Sequence, residues 1–166
     1  LFDRGGSCIQ FIEKIPALAV AKLLGLPCGE CDQFTKWAMI GGSMLAGEVS
    51  AKALEHLARE TSAMRSYLAM HFDQSHRLDS TISKPLLKLL HSECNEGTIT
   101  RDEAIGISVI LFGAGGESTS ALMGSCIFYL ASLPKIQEEL RSNPQLIDNF
   151  IEEVIRFSPP FKFHYR

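Results

Sequence analysis

Residues 105–133, IGISVILFGAGGESTSALMGSCIFYLASL, carry one charged side chain, Glu117, in a run that is otherwise apolar or small. As an α-helix, at ~1.5 Å per residue, the run is about 44 Å long. It is apolar on nearly every side, so it belongs either at the centre of a protein or in lipid. Both ends are written in the sequence: Thr100 with Glu103 makes a capping box, and Pro134 is a stop. These signals predict one helix over 102–133. Each glycine in its middle costs a helix ~1 kcal/mol relative to alanine. Gly113, Gly115 and Gly116 therefore predict a helix disturbed, not broken, over 113–117, where Glu117 arrives with Ser118, Thr119 and Ser120. An acid and alcohols on a loosened helix can pass protons.

A membrane span has the length but puts a carboxylate at its centre, at ~2.5 to 3.5 kcal/mol on insertion scales. A serine hydrolase with Ser118 as nucleophile is a second alternative, since Gly116-Glu117-Ser118 starts a Gly-x-Ser-x-Gly elbow after a strand-like VILF. Ser120 stands where that elbow wants its second glycine, and no Gly-rich oxyanion segment precedes it. A non-enzymatic helical interaction or membrane module built on the apolar helix is a third. Phosphate loops fail outright, because no Gly-Lys-Ser/Thr is present and Gly-x-Gly-x-x-Gly breaks at Ser118.

The length of 166 residues suits one domain, and 46% apolar with 21% charged residues is ordinary for a globular chain. A net charge of −3 gives no footprint for nucleic acid or an anionic membrane. The chain begins with Leu1 and shows no signal peptide, so it reads as a piece of a longer protein. Its five cysteines, an odd number without a secretion signal, indicate free thiols in a reducing compartment, the cytoplasm. Cys28 and Cys31 would join His91 and Cys94 as a four-ligand zinc set only if two predicted helices between the halves allowed it, and incidental thiols are the simpler reading.

The remaining elements are helical. A helix is expected from about Pro16 to the stop at Gly25 and Pro27, a second over 32–45, and a long amphipathic one over 48–72. Residues 74–83 read as a loop, and a short helix from Pro85 ends at the Asn95-Glu96-Gly97 turn. Helices over 134–141 and 145–157 follow, and Pro159 with Pro160 leads into an extended tail over 161–166. The class is all-α.

Ala114-Gly115-Gly116-Glu117-Ser118-Thr119 resembles the Ala/Gly-Gly-x-Asp/Glu-Thr-Thr/Ser signature of the long central (I) helix of cytochromes P450, with serine in place of the usual threonine. Glu153-x-x-Arg156 in EEVIRFSPPFKFHYR resembles the family's Glu-x-x-Arg (K) helix, and IPALAVAKLLGLP…FTKW resembles the helix pair that bacterial members carry upstream. Glu138-x-x-Arg141 has the same spacing without that context. The resemblance covers nearly all of 1–166, from about helix E to just past helix K.

It implies a partial P450 domain of a haem-thiolate monooxygenase, which activates dioxygen and inserts one atom into a small organic substrate. Electrons would come from a ferredoxin or flavin reductase, and neither nucleic acid nor membrane would be a partner. By the same resemblance Ala114 and Gly115 let haem b and dioxygen approach the helix, and Ser118 hydrogen-bonds the bound dioxygen. Glu117, with Thr119, passes protons inward. Glu153 and Arg156 form a buried structural ion pair, Arg166 pairs with a haem propionate, and His164 and Lys162 share its strand face. The axial cysteine would lie beyond Arg166, so the chain alone holds no metal ligand for the iron, completes no haem site and is expected to be inactive.

Overall fold

The computed structural model describes residues 8–40, 50–75 and 85–161, and every described element is helical. In chain order these are α1 (Cys8–Leu24), a 3-10 turn (Cys28–Glu30), α2 (Cys31–Ala38), α3 (Ala51–Asp73), α4 (Leu86–Asn95), α5 (Arg101–Ser132), α6 (Pro134–Ser142), a second 3-10 turn (Pro144–Leu146) and α7 (Ile147–Phe157). The all-α expectation holds. The predicted tail falls mostly on 162–166, and the predicted loop mostly on 76–84, outside the described residues. Internal contacts divide the chain into two compact units, one of Glu13–Glu117, the other of Leu1–Ile12 with Ser118–Arg166.

The Glu13–Glu117 unit holds the larger core. α3 turns Leu57, Met64, Leu68 and Phe72 inward at spacings of seven, four and four, while Leu54 and Ala58, which the helical spacing also placed on its apolar face, are exposed. They meet Leu24 from α1, Phe34 and Trp37 from α2, Leu87 and Leu90 from α4, and Ala104, Ile105 and Phe112 from α5. Each fully buried Leu, Ile or Phe contributes roughly 1.5–3 kcal/mol. Charged pairs ring this core: Lys14 with Asp32 at 2.8 Å, Lys36 with Glu60 at 2.6 Å, and Arg65 with Asp102 at 3.1 Å. Arg101 donates twice to Asp73, at 2.9 and 2.8 Å, joining the end of α3 to the start of α5. Gly25 and Gly97, with φ of 86° and 77°, close α1 and α4 in the left-handed conformation that glycine adopts without strain.

Three expectations need correction. The helix expected over 32–45 ends at Ala38, where the Met39 N–H caps it by donating to the Thr35 carbonyl. α1 does not start at Pro16 but eight residues earlier, at Cys8. An interior proline removes one backbone donor and usually costs ~3 kcal/mol, yet Ile12 and Ala17 on either side are both buried, so packing carries the helix through. α5 begins with the capping box as expected: the Thr100 N–H donates to Glu103 Oε2 at 2.7 Å and the Glu103 N–H to Thr100 Oγ1 at 3.2 Å. But it then runs as unbroken α-helix through 113–117, with no disturbance. Gly115 and Gly116 serve packing instead.

In the second unit the later part of α5 packs with α6 and α7. Tyr129 and Phe157 meet edge to face at 6.0 Å, Gln137 donates to the Leu130 carbonyl at 3.5 Å, and Val154 is buried. Among the described residues α5 is the one helix long and apolar enough to cross a bilayer, and 28% of its most apolar window is buried.

Candidate functional site

Two consecutive glycines of α5 give up their Cβ positions to neighbouring helices. A Cβ on Gly115 would come 2.8 Å from Val20 Cγ2 of α1, and one on Gly116 would overlap the Ala38 carbonyl oxygen at the end of α2. These contacts fix the rotation of α5 about its own axis. Ala114 is left exposed, one turn ahead of half-buried Ser118, while Ile110 is 67% and Ile107 38% exposed on the preceding turns. By helical spacing 107, 110, 114 and 118 share a stripe. It is apolar except for the hydroxyl and narrowest at Ala114.

Glu117 follows Gly116 and is half-buried. Its Oε2 is shut away from solvent and meets no hydrogen-bond partner among the described residues. Such an oxygen is costly, and its surroundings lack the partner that would offset the cost. Thr119 turns away: it is exposed and stands with Leu122, Cys126, Gln137, Arg141 and Phe150 around a largely apolar concavity of about 650 Å³. Glu117 and Thr119 thus have different immediate surroundings.

Ser120 was not singled out as a site residue, yet it is buried and its hydroxyl points at the Ile12 carbonyl of α1, 3.4 Å away. That carbonyl is the one Pro16 cannot serve, because proline has no N–H for the residue four before it. The side chain that answers a proline more than a hundred residues earlier leaves no local signal in the sequence.

Glu153 and Arg156 do pair, through Arg156 Nε to Glu153 Oε2 at 2.8 Å and a second bond of 2.6 Å. The pair stands in the open, at 63% and 68% exposure, not in the buried network the resemblance implies. A one-turn spacing on α7 suffices to make it. No ion pair joins Glu138 to Arg141 among the described residues, so the two Glu-x-x-Arg sequences differ here as well. His164, Arg166 and Lys162 lie outside the described residues.

Among those residues no group of His, Cys, Asp and Glu could hold a metal ion. Cys31, Cys94 and Cys126 are free thiols. His91, offered to zinc, instead stands 3.1 Å from Asn95 and 5.4 Å from the Phe72 ring. The serine-hydrolase alternative also fails, because 108–112 is helix and Ser118 sits in mid-helix rather than on a strand-to-helix elbow.

An aromatic cluster forms the other chemical feature of the Glu13–Glu117 unit. Trp37 lies 5.2 Å from Tyr67 and 6.3 Å from Phe112, with Phe34 touching all three. Tyr67 donates to Glu30 Oε1 at 3.3 Å, and burial, aided by the Glu30 charge, pushes its hydroxyl pKa up to about 12. Phe34 and Trp37 stand three residues apart on α2 and Tyr67 lies on α3, so no local pattern in the sequence signals their meeting.

No family model matches the chain. Cytochrome P450 144 of Mycobacterium tuberculosis (strain ATCC 25618 / H37Rv) is 36% identical over 163 residues, which are 96% of this chain and 37% of that protein. Mycinamicin IV hydroxylase/epoxidase of Micromonospora griseorubida is 25% identical over 152 residues, 90% of this chain and 36% of its own. The crystal structure of CalO2 superposes with a TM-score of 0.75 at 25% identity, over 88% of this chain and 36% of that one. A putative thioether synthase, SgvP, from the tailoring step of griseoviridin has the same fold, with a TM-score of 0.77 over 95% of this chain and 39% of that one. The chain therefore spans a little over a third of the length of the proteins it matches.

Proposed function

The chain is a stretch of cytochrome P450 in sequence and in fold, and from that premise we propose that it supplies the oxygen-side helix and one wall of the haem pocket to a haem-thiolate monooxygenase. The observation that carries the reading is Glu117 Oε2, a buried carboxylate oxygen without a described partner, one residue before Ser118 in the middle of α5. Such an oxygen is a place to hold a proton or a water on its way inward.

The residues present fit a flat, apolar prosthetic group on one side. Ile107, Ile110 and Ala114 offer an exposed apolar stripe whose smallest member leaves room for close approach, with the Ser118 hydroxyl on the next turn. When bound, haem iron supplies the binding of dioxygen and its reductive splitting. Around it, Ala114 admits the ring and the oxygen, Gly115 keeps the helix backbone bare beside it while its own Cβ direction is taken by Val20, and Ser118 donates a hydrogen bond through Oγ. Glu117 delivers protons through its carboxyl group. Thr119, which lines the apolar concavity, assists Glu117 in proton delivery. Gly115 and Gly116, locked against Val20 and Ala38, hold the stripe in register.

In the complete polypeptide the exposed Glu153–Arg156 pair becomes the buried network near the cysteine loop, and Arg166 meets a haem propionate with His164 beside it. The axial cysteine lies in sequence outside this chain, which makes the chain inactive by itself. The substrate is a small organic molecule, oxidised with dioxygen and electrons from a ferredoxin or flavin reductase. The names of the relatives, a hydroxylase/epoxidase among them, support this reaction class. The free thiols of Cys31, Cys94 and Cys126 suit the cytoplasm.

The test is the reduced carbon monoxide difference spectrum. The complete polypeptide gives the thiolate-type band, and this chain with haem supplied gives none. A thiolate band from the chain alone would make one of its five cysteines the ligand and overturn the assignment.

A further inference from the structure

The aromatic cluster has a direction built into it by its hydrogen bonds. Trp37 is 3% exposed, and its Nε1–H meets no acceptor among the described residues. Tyr67 touches it at 5.2 Å between ring centroids, and there the phenol does have an acceptor, Glu30 Oε1 at 3.3 Å. At the inner end Trp37 abuts Phe112 of α5, two residues before Ala114, and the next residue, Ala38, packs its carbonyl on Gly116. At the outer end Glu30 is exposed. One tryptophan and one tyrosine thus stand in contact between the middle of α5 and solvent.

Loss of an electron makes an indole strongly acidic, but a buried N–H without an acceptor keeps its proton. The resulting radical cation is a stronger oxidant than the neutral radical would be. A phenol, by contrast, is oxidised easily only when its proton can leave at the same moment, and burial disfavours its prior ionisation. Trp37 therefore cannot trap a hole, and Tyr67 can.

We propose that Trp37 and Tyr67 form an oxidation path that drains a misdirected oxidising equivalent, reaching Trp37 across the thickness of α5 from the stripe on its opposite face, to the surface beside Glu30. The proposal rests on the monooxygenase reading for its oxidant, a one-electron oxidant derived from haem and dioxygen. The steps balance. One electron leaves the Trp37 indole for that oxidant; Tyr67 then returns an electron to Trp37 and gives its phenolic proton to the Glu30 carboxylate, leaving a neutral tyrosyl radical. A thiol or the enzyme's own electron donor reduces that radical, and Glu30 hands the proton back. The function is protective: equivalents that no substrate consumes are carried away from α5 before they oxidise it.

The test needs no haem. Trp37 is the single tryptophan of the chain, so laser photoionisation at the red edge of the indole absorption generates the hole at one place. Transient absorption then follows the indole radical and the tyrosyl radical. In the unmodified chain the tyrosyl signal rises as the indole signal decays, at a rate independent of protein concentration. Tyr67→Phe abolishes the rise, and Tyr129→Phe leaves it intact. Glu30→Gln, which keeps the shape but removes the proton acceptor, slows it about a hundredfold. A tyrosyl signal that survives Tyr67→Phe, or is absent from a folded unmodified chain, overturns the path. Failure of the haem assignment would appear only in the carbon monoxide spectrum and would leave this result untouched.

Discussion

Gly115 and Gly116 are adjacent, but their surroundings give them different sensitivities. At Gly116 a methyl group would run into the backbone of Ala38, which cannot move without displacing the end of α2; at Gly115 it meets one methyl of Val20. Overpacking of this kind costs about 1 to 3 kcal/mol. Gly116→Ala is expected at the upper end and Gly115→Ala at the lower, so thermal unfolding should rank Gly116→Ala below Gly115→Ala. Equal midpoints would mean that α2 yields as easily as a side chain. The sequence showed both residues as places where a helix is disturbed. It could not show that a neighbour fills the gap, since contact across elements has no local pattern. Glu153→Ala, which removes half of an exposed pair, should hardly move the midpoint of this chain. A large drop would mean that the pair is already buried by packing within the chain.

Among elements, the helix ends were legible because caps are local: Thr100 with Glu103, Gly25 and Gly97 all act where their residue types predicted. The start of α1 was not legible, since Pro16 normally opens a helix and here lies inside one, supported by the buried Ile12 and Ala17 and by the Ser120 hydroxyl. Removing that hydroxyl with Ser120→Ala should destabilise the chain by about 1 to 3 kcal/mol, the penalty for an unserved buried acceptor. In a Pro16→Ala background, where an N–H serves Ile12 again, the same change should cost less, and denaturant unfolding of the four variants measures the difference. The charged contacts between elements set a pH dependence. Hydrogen bonds from Lys36, Arg101 and Thr100 hold Glu60, Asp73 and Glu103 below the usual carboxylate range. A depressed folded value means stability that is present above the unfolded pKa, about 4, and lost as pH falls through the folded one. Burial lowers His71 as well, so its loss has the same sign and begins below about pH 6.5. Tyr67 has the opposite sign: its stability is present below the ordinary phenol value and is lost as pH rises toward about 12. Helicity followed against pH should therefore fall at both ends. Tyr67→Phe should flatten the alkaline limb, and Asp73→Asn should flatten the acid one.

For the molecule as a whole, several weak motifs in order carried more than any one of them. Glu-x-x-Arg occurs twice in this chain and means little alone, whereas its place after an apolar helix bearing Ala114-Gly115-Gly116-Glu117-Ser118 specified the architecture that the solved neighbours share. The exposure of Ile110 at 67% and Phe128 at 64% on a helix apolar all round has its physical reason in length, because the chain spans about 37% of its relative and cannot by itself wrap α5. The central claim is that Ser118 and Glu117 deliver protons to dioxygen in the complete enzyme. Serine offers the hydrogen bond without the β-methyl that restricts threonine to fewer rotamers, so product formation should be imperfectly coupled to reductant use. The most direct measurement is hydrogen peroxide and product per reductant consumed, in the complete protein and its Ser118→Thr and Ser118→Ala variants. The account predicts more product for threonine and more peroxide for alanine; equal ratios in all three would contradict it.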